Sequence, residues 1–230
     1  MKPAEIKSLL AATELFGCLN DEGLERLSHH AMERKFSKSY RIFHQGDPGD
    51  AVFVLVSGTV KVTVTSERGD EMVLVTLEPP ATVGELALAD GLERSATVET
   101  LRETSVLSIG RDPVLALIEE NPALARGLLS SLGGLIRRLT DQAADFVFLD
   151  LHARVAKLLL QLADSRGEVT AEGTVLDLYL TQGEIAQMVG GSRQSVNQII
   201  RSFEHRGFLE VHRKAVVLKS LPMLARRAGL

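Results

Sequence analysis

A single cysteine, Cys18, is all the thiol this 230-residue chain offers. That excludes an intramolecular disulfide framework and any cysteine-rich zinc or iron–sulfur cluster, and it points to a reducing cytoplasm. Long apolar runs are missing as well. The longest stretches without a charge, residues 51–60 and 127–136, are ten residues each. A spanning helix needs about 20, so no membrane partner is expected. The start, Met1-Lys2-Pro3-Ala4-Glu5 with Lys7 close behind, holds no apolar run before a cleavage site and does not read as a secretory signal. Residues 151–230 contain neither GxxxxGK[ST] nor GxGxxG, and no nucleophile–base constellation. A catalytic C-terminal domain, and with it an enzyme, is therefore not expected.

What is present is ordinary globular material, 45% hydrophobic and 24% charged, enough for one large or two small domains. The net charge of −4 is unevenly spread. Residues 1–150 hold 15 basic and 23 acidic side chains, whereas residues 151–230 hold 11 and 7. A basic tail on an acidic body is the asymmetry expected when one part meets nucleic-acid phosphate and the other does not.

The texture changes along the chain. In the N-terminal stretch Asn20 or Asp21 is placed to cap a helix running through Leu24 and Leu27 to His29. Short β-rich runs follow at 51–56, 59–65, 72–77, 95–100 and 105–109, punctuated by Gly46, Pro48-Gly49, Ser57-Gly58, Arg68-Gly69-Asp70 and Pro79-Pro80. Short connections between such runs predict antiparallel neighbours in a sandwich or barrel. From Pro113 the period is helical. Leu128, Leu132, Leu135, Leu139 and Phe146, with Gln142 between, form a short heptad-like seam that suits a paired helix or one packed on its own domain. Gly133-Gly134 weakens that helix by about 2 kcal/mol relative to alanine; close approach by a ligand or another chain, or plain flexibility, would account for it. Asp150 is a good N-cap for a further helix to Ala163, 164–174 reads as a loop, and two helices and a hairpin complete the chain.

Two constellations carry chemistry. The first is Val83-Gly84-Glu85-Leu86-Ala87-Leu88, then residues 89–93, then Arg94-Ser95-Ala96-Thr97-Val98. Arg94 offers a guanidinium fork suited to phosphate oxygens. Small residues at Gly84, Ala87 and Ala96 suit a backbone whose N–H groups converge on an anion, and Glu85 can accept from a hydroxyl. Taken singly, Glu85 and Arg94 also fit a surface ion pair across a loop. The second runs from Leu180 to Arg201. Ile185, Val189, Val196 and Ile199 supply an apolar face that docks two short helices, with Ala186 small between them and Gly190 at the turn. The second helix then presents Arg193, Gln194, Asn197, Gln198 and Arg201 on its other side, where Arg and Gln can bridge base edges, while hydroxyls at Thr181, Ser192 and Ser195 can reach phosphates. A helical hairpin with a polar outer face is the plainer alternative.

The first string closely resembles the phosphate-binding cassette of cyclic-nucleotide-binding domains. The upstream Ile42-Phe43-His44-Gln45-Gly46-Asp47-Pro48-Gly49-Asp50 and Val56-Ser57-Gly58 resemble the β-roll of the same family. Over nearly all of its length the chain is similar to the catabolite activator protein branch of bacterial transcription regulators. The resemblance implies an α+β fold: a jelly-roll-like cyclic-nucleotide-binding β-roll over 1–112, a long dimerisation helix over 113–149 and a winged helix-turn-helix over 150–230. It implies that Glu85 holds a ribose hydroxyl, that Arg94, Ser95 and the region of Gly84, Leu86, Ala87 and Ala96 hold the phosphate, and that Arg193, Gln194 and Gln198 touch bases. The expected allosteric ligand is cyclic AMP, with cyclic GMP as the second candidate, and no cofactor or metal. The expected partners are a second copy of the chain, palindromic double-stranded DNA and RNA polymerase.

Departures from the family pattern mark where specificity differs. Relatives commonly offer Thr followed by Ser or Asn to the purine; here those positions are Leu139 and Thr140, so one polar contact is missing, and either Thr140 suffices or the base preference is relaxed. Gln194 stands where relatives usually have Glu, and Gln198 where they have Arg or Lys. Iron–sulfur sensing is excluded by the lone cysteine, and none of the six histidines lies near the cassette to serve as a haem ligand.

Overall fold

The computed structural model describes residues 1–177, 180–212 and 215–230. It divides into two compact units, Met1–Leu139 and Thr140–Leu230.

The first unit opens with α1 (Pro3–Ala11) and α2 (Asp21–His29), the latter capped by Asn20, whose side chain accepts from the Gly23 N–H at 2.9 Å. Strands β1 (Ala31–Phe36), β2 (Arg41–Phe43), β3 (Ala51–Ser57), β4 (Val60–Thr65), β5 (Glu71–Leu77) and β6 (Thr82–Val83) follow. A short α3 (Glu85–Asp90), then β7 (Thr97–Thr100), β8 (Thr104–Gly110) and α4 (Arg111–Glu120) lead to the long α5 (Pro122–Phe148). The strands form two antiparallel four-stranded sheets, ordered β1-β8-β3-β6 and β2-β7-β4-β5. β3 shows why they pack as two layers. Its residues alternate sides with the period of two that a pleated strand imposes. Phe53 and Leu55 join Phe43, Val60, Val83, Val98 and Val106 between the sheets. Val52 and Val54 face the other way, into a second core with Leu10, Phe16, Leu27, Leu117 and Leu124 of the helical segments. This is the β-roll expected from the spacing of short strands and turns.

Residues 122–139 of α5 belong to this unit, and here the structure turns two of the expected seam residues inward, Leu128 onto the helical core and Leu135 onto a cavity wall, while Leu132 and Leu139 keep their places. Leu124 is fully buried. The exposed apolar stripe is Leu129 (69%), Ile136 (63%) and Leu139 (39%), with half-buried Leu132 between them. The leucine doublet at 128–129 and the Leu135-Ile136 pair satisfy either register in sequence; packing against the β-roll takes one member of each and leaves the other outside.

In the second unit Asp150 caps α6 (Leu151–Arg166), accepting from the Ala153 N–H at 2.8 Å. Helices α7 (Gln182–Val189) and α8 (Arg193–His205) follow, and a four-stranded antiparallel sheet is ordered β11-β12-β10-β9. Its strands are β9 (Glu168–Thr170), β10 (Gly173–Asp177), β11 (Leu209–Val211) and β12 (Ala215–Leu218). The segment 164–174, expected as a loop, thus holds β9 and the start of β10. β9 is an edge strand with all three residues exposed, so no apolar alternation announces it. A last helix, α9 (Leu221–Ala228), carries Leu224 fully buried. The expected hairpin forms from β11 and β12; Arg213 and Lys214 at its turn lie outside the described residues.

Candidate functional site

Gly84 opens the first site. It sits at the N-cap of α3 in the left-handed region, φ 92°, which favours glycine, and a Cβ there would meet Arg94 Nη1 at 2.5 Å. The chain therefore turns tightly from β6 into α3 while a guanidinium lies against its backbone. Arg94 is 4% exposed. Its Nη1 donates to the Gly84 carbonyl at 3.2 Å and its Nη2 to the Ala51 carbonyl at 2.5 Å, with Asp50 Oδ1 3.7 Å from Nη2. The guanidinium lies over the Phe43 ring, 4.3 Å from its centroid. The backbone is held too: Arg94 N–H donates to the Asp47 carbonyl at 2.8 Å, and Gly46 N–H to the Arg94 carbonyl at 2.9 Å. Nε is buried with no hydrogen-bond partner, an unmet donor of the kind that folded proteins seldom leave.

Electrostatics point the same way. Burial pulls the Arg94 pKa down, opposed in turn by Asp50, Asp47 and Glu85. Burial pushes the Glu85 carboxyl up, opposed by its backbone hydrogen bond and by the Arg138 and Arg94 charges, while Glu14 adds to the rise. Both groups are thus held in an environment that penalises their charged forms. An anion beside Arg94 and a hydroxyl donor beside Glu85 would relieve both.

The two face one cavity of about 550 Å³. Gly84, Glu85, Leu86 and Ala87 line it from α3 and its cap, and Arg94, Ser95 and Ala96 line it from the chain leading into β7. Seven of the eight residues expected around a cyclic nucleotide therefore meet on one wall. The eighth, Thr140, belongs to the second unit and does not line the cavity. Val62, Val64, Leu74, Val75 and Leu77 make an apolar wall from β4 and β5. Three charged lining residues were not anticipated: Glu14, between α1 and α2, Glu78, just after β5, and Arg138, on α5. Ser131, Leu135 and Arg138 recur at i, i+4 and i+7, so the inward stripe of α5 carried the signal for Arg138. Nothing local signals Glu14.

The second site is built on α7 and α8. Thr181 caps α7 in a reciprocal box: its Oγ1 accepts from the Glu184 N–H at 3.2 Å, and Glu184 Oε2 accepts from the Thr181 N–H at 2.7 Å. Gly190 ends α7 in the left-handed conformation, φ 63°, and a Cβ there would strike the Phe146 ring at 2.6 Å. Ser192 caps α8, accepting from the Ser195 N–H at 3.0 Å, and the two hydroxyls lie 2.8 Å apart. Val196, Ile199, Ile200 and Phe203 are buried. Arg193, Gln194, Gln198 and Arg201 are exposed on the opposite side. Asn197 is half-buried and donates through Nδ2 to Gln182 Oε1 at 3.0 Å, so its amide ties α8 to α7. Arg154 braces the turn, donating from Nε to the Val189 carbonyl and from Nη1 to the Leu149 carbonyl, both at 2.9 Å, with its guanidinium 5.1 Å from the Phe146 ring centroid.

Comparison with known proteins matches the two regions that carry these sites. Residues 33–121 fit the model of the cyclic nucleotide-binding domain, and residues 153–227 that of the Crp-like helix-turn-helix domain. A CRP-like cAMP-activated global transcriptional regulator of Mycobacterium tuberculosis is 35% identical over 222 residues, covering 96% of this chain and 98% of that protein. The cAMP-activated global transcriptional regulator CRP of Escherichia coli is 30% identical over 199 residues, covering 86% and 94%. Among solved structures, the c-di-GMP responsive global regulator CLP of Xanthomonas campestris aligns with a TM-score of 0.78 at 22% identity, covering 87% of this chain and 100% of that one, a likeness of fold. With both domain models matched in order and likeness to the curated relatives running over nearly the whole chain, the protein belongs to the CRP family of bacterial transcription regulators.

Proposed function

We propose that the chain is a homodimeric, DNA-binding transcription regulator switched by a cyclic nucleotide, cyclic AMP first and cyclic GMP second. The observation that carries this reading is the buried Arg94 with an unmet Nε donor, facing the same cavity as a carboxyl whose charge is also penalised. A cyclic phosphodiester supplies the missing acceptor and a ribose 2′-hydroxyl the missing donor. An orphan regulator that needs no nucleotide would have no use for a buried guanidinium with an unmet donor beside a half-buried carboxyl. The names of the curated relatives support cyclic AMP as the ligand.

In this reading residues 1–112 hold the ligand, 113–149 pair with a second copy through Leu129, Leu132, Ile136 and Leu139, and 150–230 bind DNA. Arg193, Gln194, Gln198 and Arg201 face the major groove, Thr181, Ser192 and Ser195 lie toward phosphate, and Asn197 holds the motif together. A two-fold dimer asks for an inverted repeat with half-site centres about 34–36 Å apart. Work on bacterial DNA places the protein in the cytoplasm, with RNA polymerase as its further contact; no helix among the described residues is long and apolar enough to cross a membrane. Calorimetry with cyclic AMP, run beside DNA binding with and without the nucleotide, tests the proposal. Nucleotide-dependent DNA affinity is the expected result; DNA binding indifferent to nucleotide would defeat it.

A further inference from the structure

The polar groups on the cavity wall fall into three sets. Gly84, Glu85, Arg94 and Ser95 come from the cassette, where a phosphate and a ribose are accounted for. Glu78, whose carboxylate accepts from Thr59 Oγ1, makes a second set with Thr82 and Ser131; Glu14 and Arg138 make the third, and β4 and β5 place only aliphatic side chains on the wall. An aliphatic wall discriminates poorly between two purines, because rejecting one requires a buried polar group left unpaired. Leu139 adds nothing polar to that wall.

Glu14 and Arg138 converge over Gly134. A Cβ on Gly134 would lie 3.7 Å from Arg138 Nη1 and equally 3.7 Å from both Glu14 carboxylate oxygens. Glu14 Oε1 accepts from Ser130 Oγ at 3.1 Å, which fixes the carboxylate and leaves Oε2 available. Arg138 is exposed at the cavity mouth, and no hydrogen bond or ion pair holds it among the described residues. Its charge is felt at Glu85, where it favours the ionised form. The glycine noted in the sequence as a weak point of the helix thus stands beneath a charged donor and a charged acceptor side by side.

A guanidinium is donor-only and a carboxylate is acceptor-only. Guanine presents an O6 acceptor beside N1–H and N2–H₂ donors, which such a pair can meet with three hydrogen bonds. Adenine presents one amino donor beside one ring acceptor, which it meets with two. We propose that Arg138 and Glu14 form a base-reading pair that admits guanine as well as adenine, and that this pair, rather than the cassette, sets the ratio of cyclic GMP to cyclic AMP affinity.

The proposal rests on the cyclic-nucleotide reading, and one set of titrations separates the two. The full-length protein and the variants Arg138→Leu, Glu14→Gln and Arg94→Leu are titrated calorimetrically with cyclic AMP and cyclic GMP, their folding checked by circular dichroism. The unaltered protein binds both nucleotides. Glu14→Gln removes one of the two carboxylate acceptors that guanine uses and lowers cyclic GMP affinity about tenfold, as losing one hydrogen bond to a charged group does, while lowering cyclic AMP affinity less; Arg138→Leu removes one hydrogen bond from either base and weakens both about tenfold, and Arg94→Leu weakens both alike. Glu14→Gln keeps the side-chain shape and serves if Arg138→Leu fails to fold. Equal losses for both nucleotides with Glu14→Gln, no loss for either with Glu14→Gln or Arg138→Leu, or an unaltered protein that binds cyclic AMP alone would overturn the base-reading pair and leave the function standing. Binding of neither nucleotide by the unaltered protein would overturn both.

Discussion

Arg94 and Arg193 carry the two proposed recognition events from opposite environments. Arg94 is 4% exposed, bonded to two carbonyls, laid on a phenylalanine ring and near Asp50. Arg193 is exposed at the start of α8, and no hydrogen bond or ion pair holds it among the described residues. Folding has already borne the desolvation and ordering of Arg94, so a phosphate arriving there meets a preorganised donor, and little of the interaction is lost to rearrangement. Arg193 must be ordered and stripped of water when DNA arrives. The first arrangement suits affinity for one small anion; the second suits discrimination among many surfaces by the base edges they present.

The sharpest way to break this contrast is to remove the buried cation. Arg94→Leu should reduce cyclic AMP affinity by several kcal/mol, since charge-assisted contacts are worth about 1.5–3 kcal/mol each. Calorimetry that found affinity unchanged would remove Arg94 from the ligand site. DNA affinity measured without nucleotide should stay as it is.

Next in size is the register of α5. Leu129→Glu should yield a monomer by sedimentation while leaving the thermal midpoint nearly unaltered, because Leu129 is 69% exposed. Leu128→Ala should do the reverse, lowering stability by about 2 kcal/mol through a lost core contact and keeping the dimer. A dimer that survived Leu129→Glu and failed with Leu128→Ala would restore the register read from sequence.

That register shows where sequence reading stops. The cassette was legible because Gly84, Glu85 and Arg94 lie within eleven consecutive residues, so chemistry and spacing could be judged together. The helix-turn-helix was legible because its apolar period and its turn glycine are local. Adjacent leucines at 128 and 129 fit the same helical period, and only the β-roll behind α5 decides between them. Glu14 and Arg138 stand 124 positions apart and meet through tertiary structure alone. Asn197 reads as an exposed polar residue until Gln182 is found opposite it. β9 is polar and exposed, and exists because β10 pairs with it.

On the exposed side of the contrast, Arg193→Ala should cost about 1–3 kcal/mol at one guanine of each half-site, the worth of a good bidentate contact. Nucleotide affinity should not change. Gln194→Glu should move the preference at the neighbouring position toward cytosine, whose amino group a carboxylate accepts. Selection from random duplexes reads both. An unaltered consensus in the two variants would show that α8 does not read those bases.

The smallest expected effect concerns Glu85, and it sets stability against function within the buried site. Its carboxyl is pushed above its ordinary value of 4.5, chiefly by burial. A carboxyl whose pKa rises on folding favours the folded state in its protonated form. That contribution is full below the unfolded value and is lost as the pH climbs through the folded one. Above that folded value the ionised Glu85 is therefore a burden on the ligand-free protein. Glu85→Gln keeps the shape and stays neutral, so without ligand it should raise the thermal midpoint at pH 7 by a few degrees, about 2–4 °C for each kcal/mol in a protein of this size. The gain should shrink as the pH falls through the raised folded value, where Glu85 itself takes up a proton. Adding cyclic AMP should reverse the order at pH 7, because a carboxylate accepts more strongly from the ribose hydroxyl than an amide does. A variant whose midpoint tracked the unaltered protein at every pH, with and without nucleotide, would show that the Glu85 charge neither burdens the empty cavity nor meets the ribose.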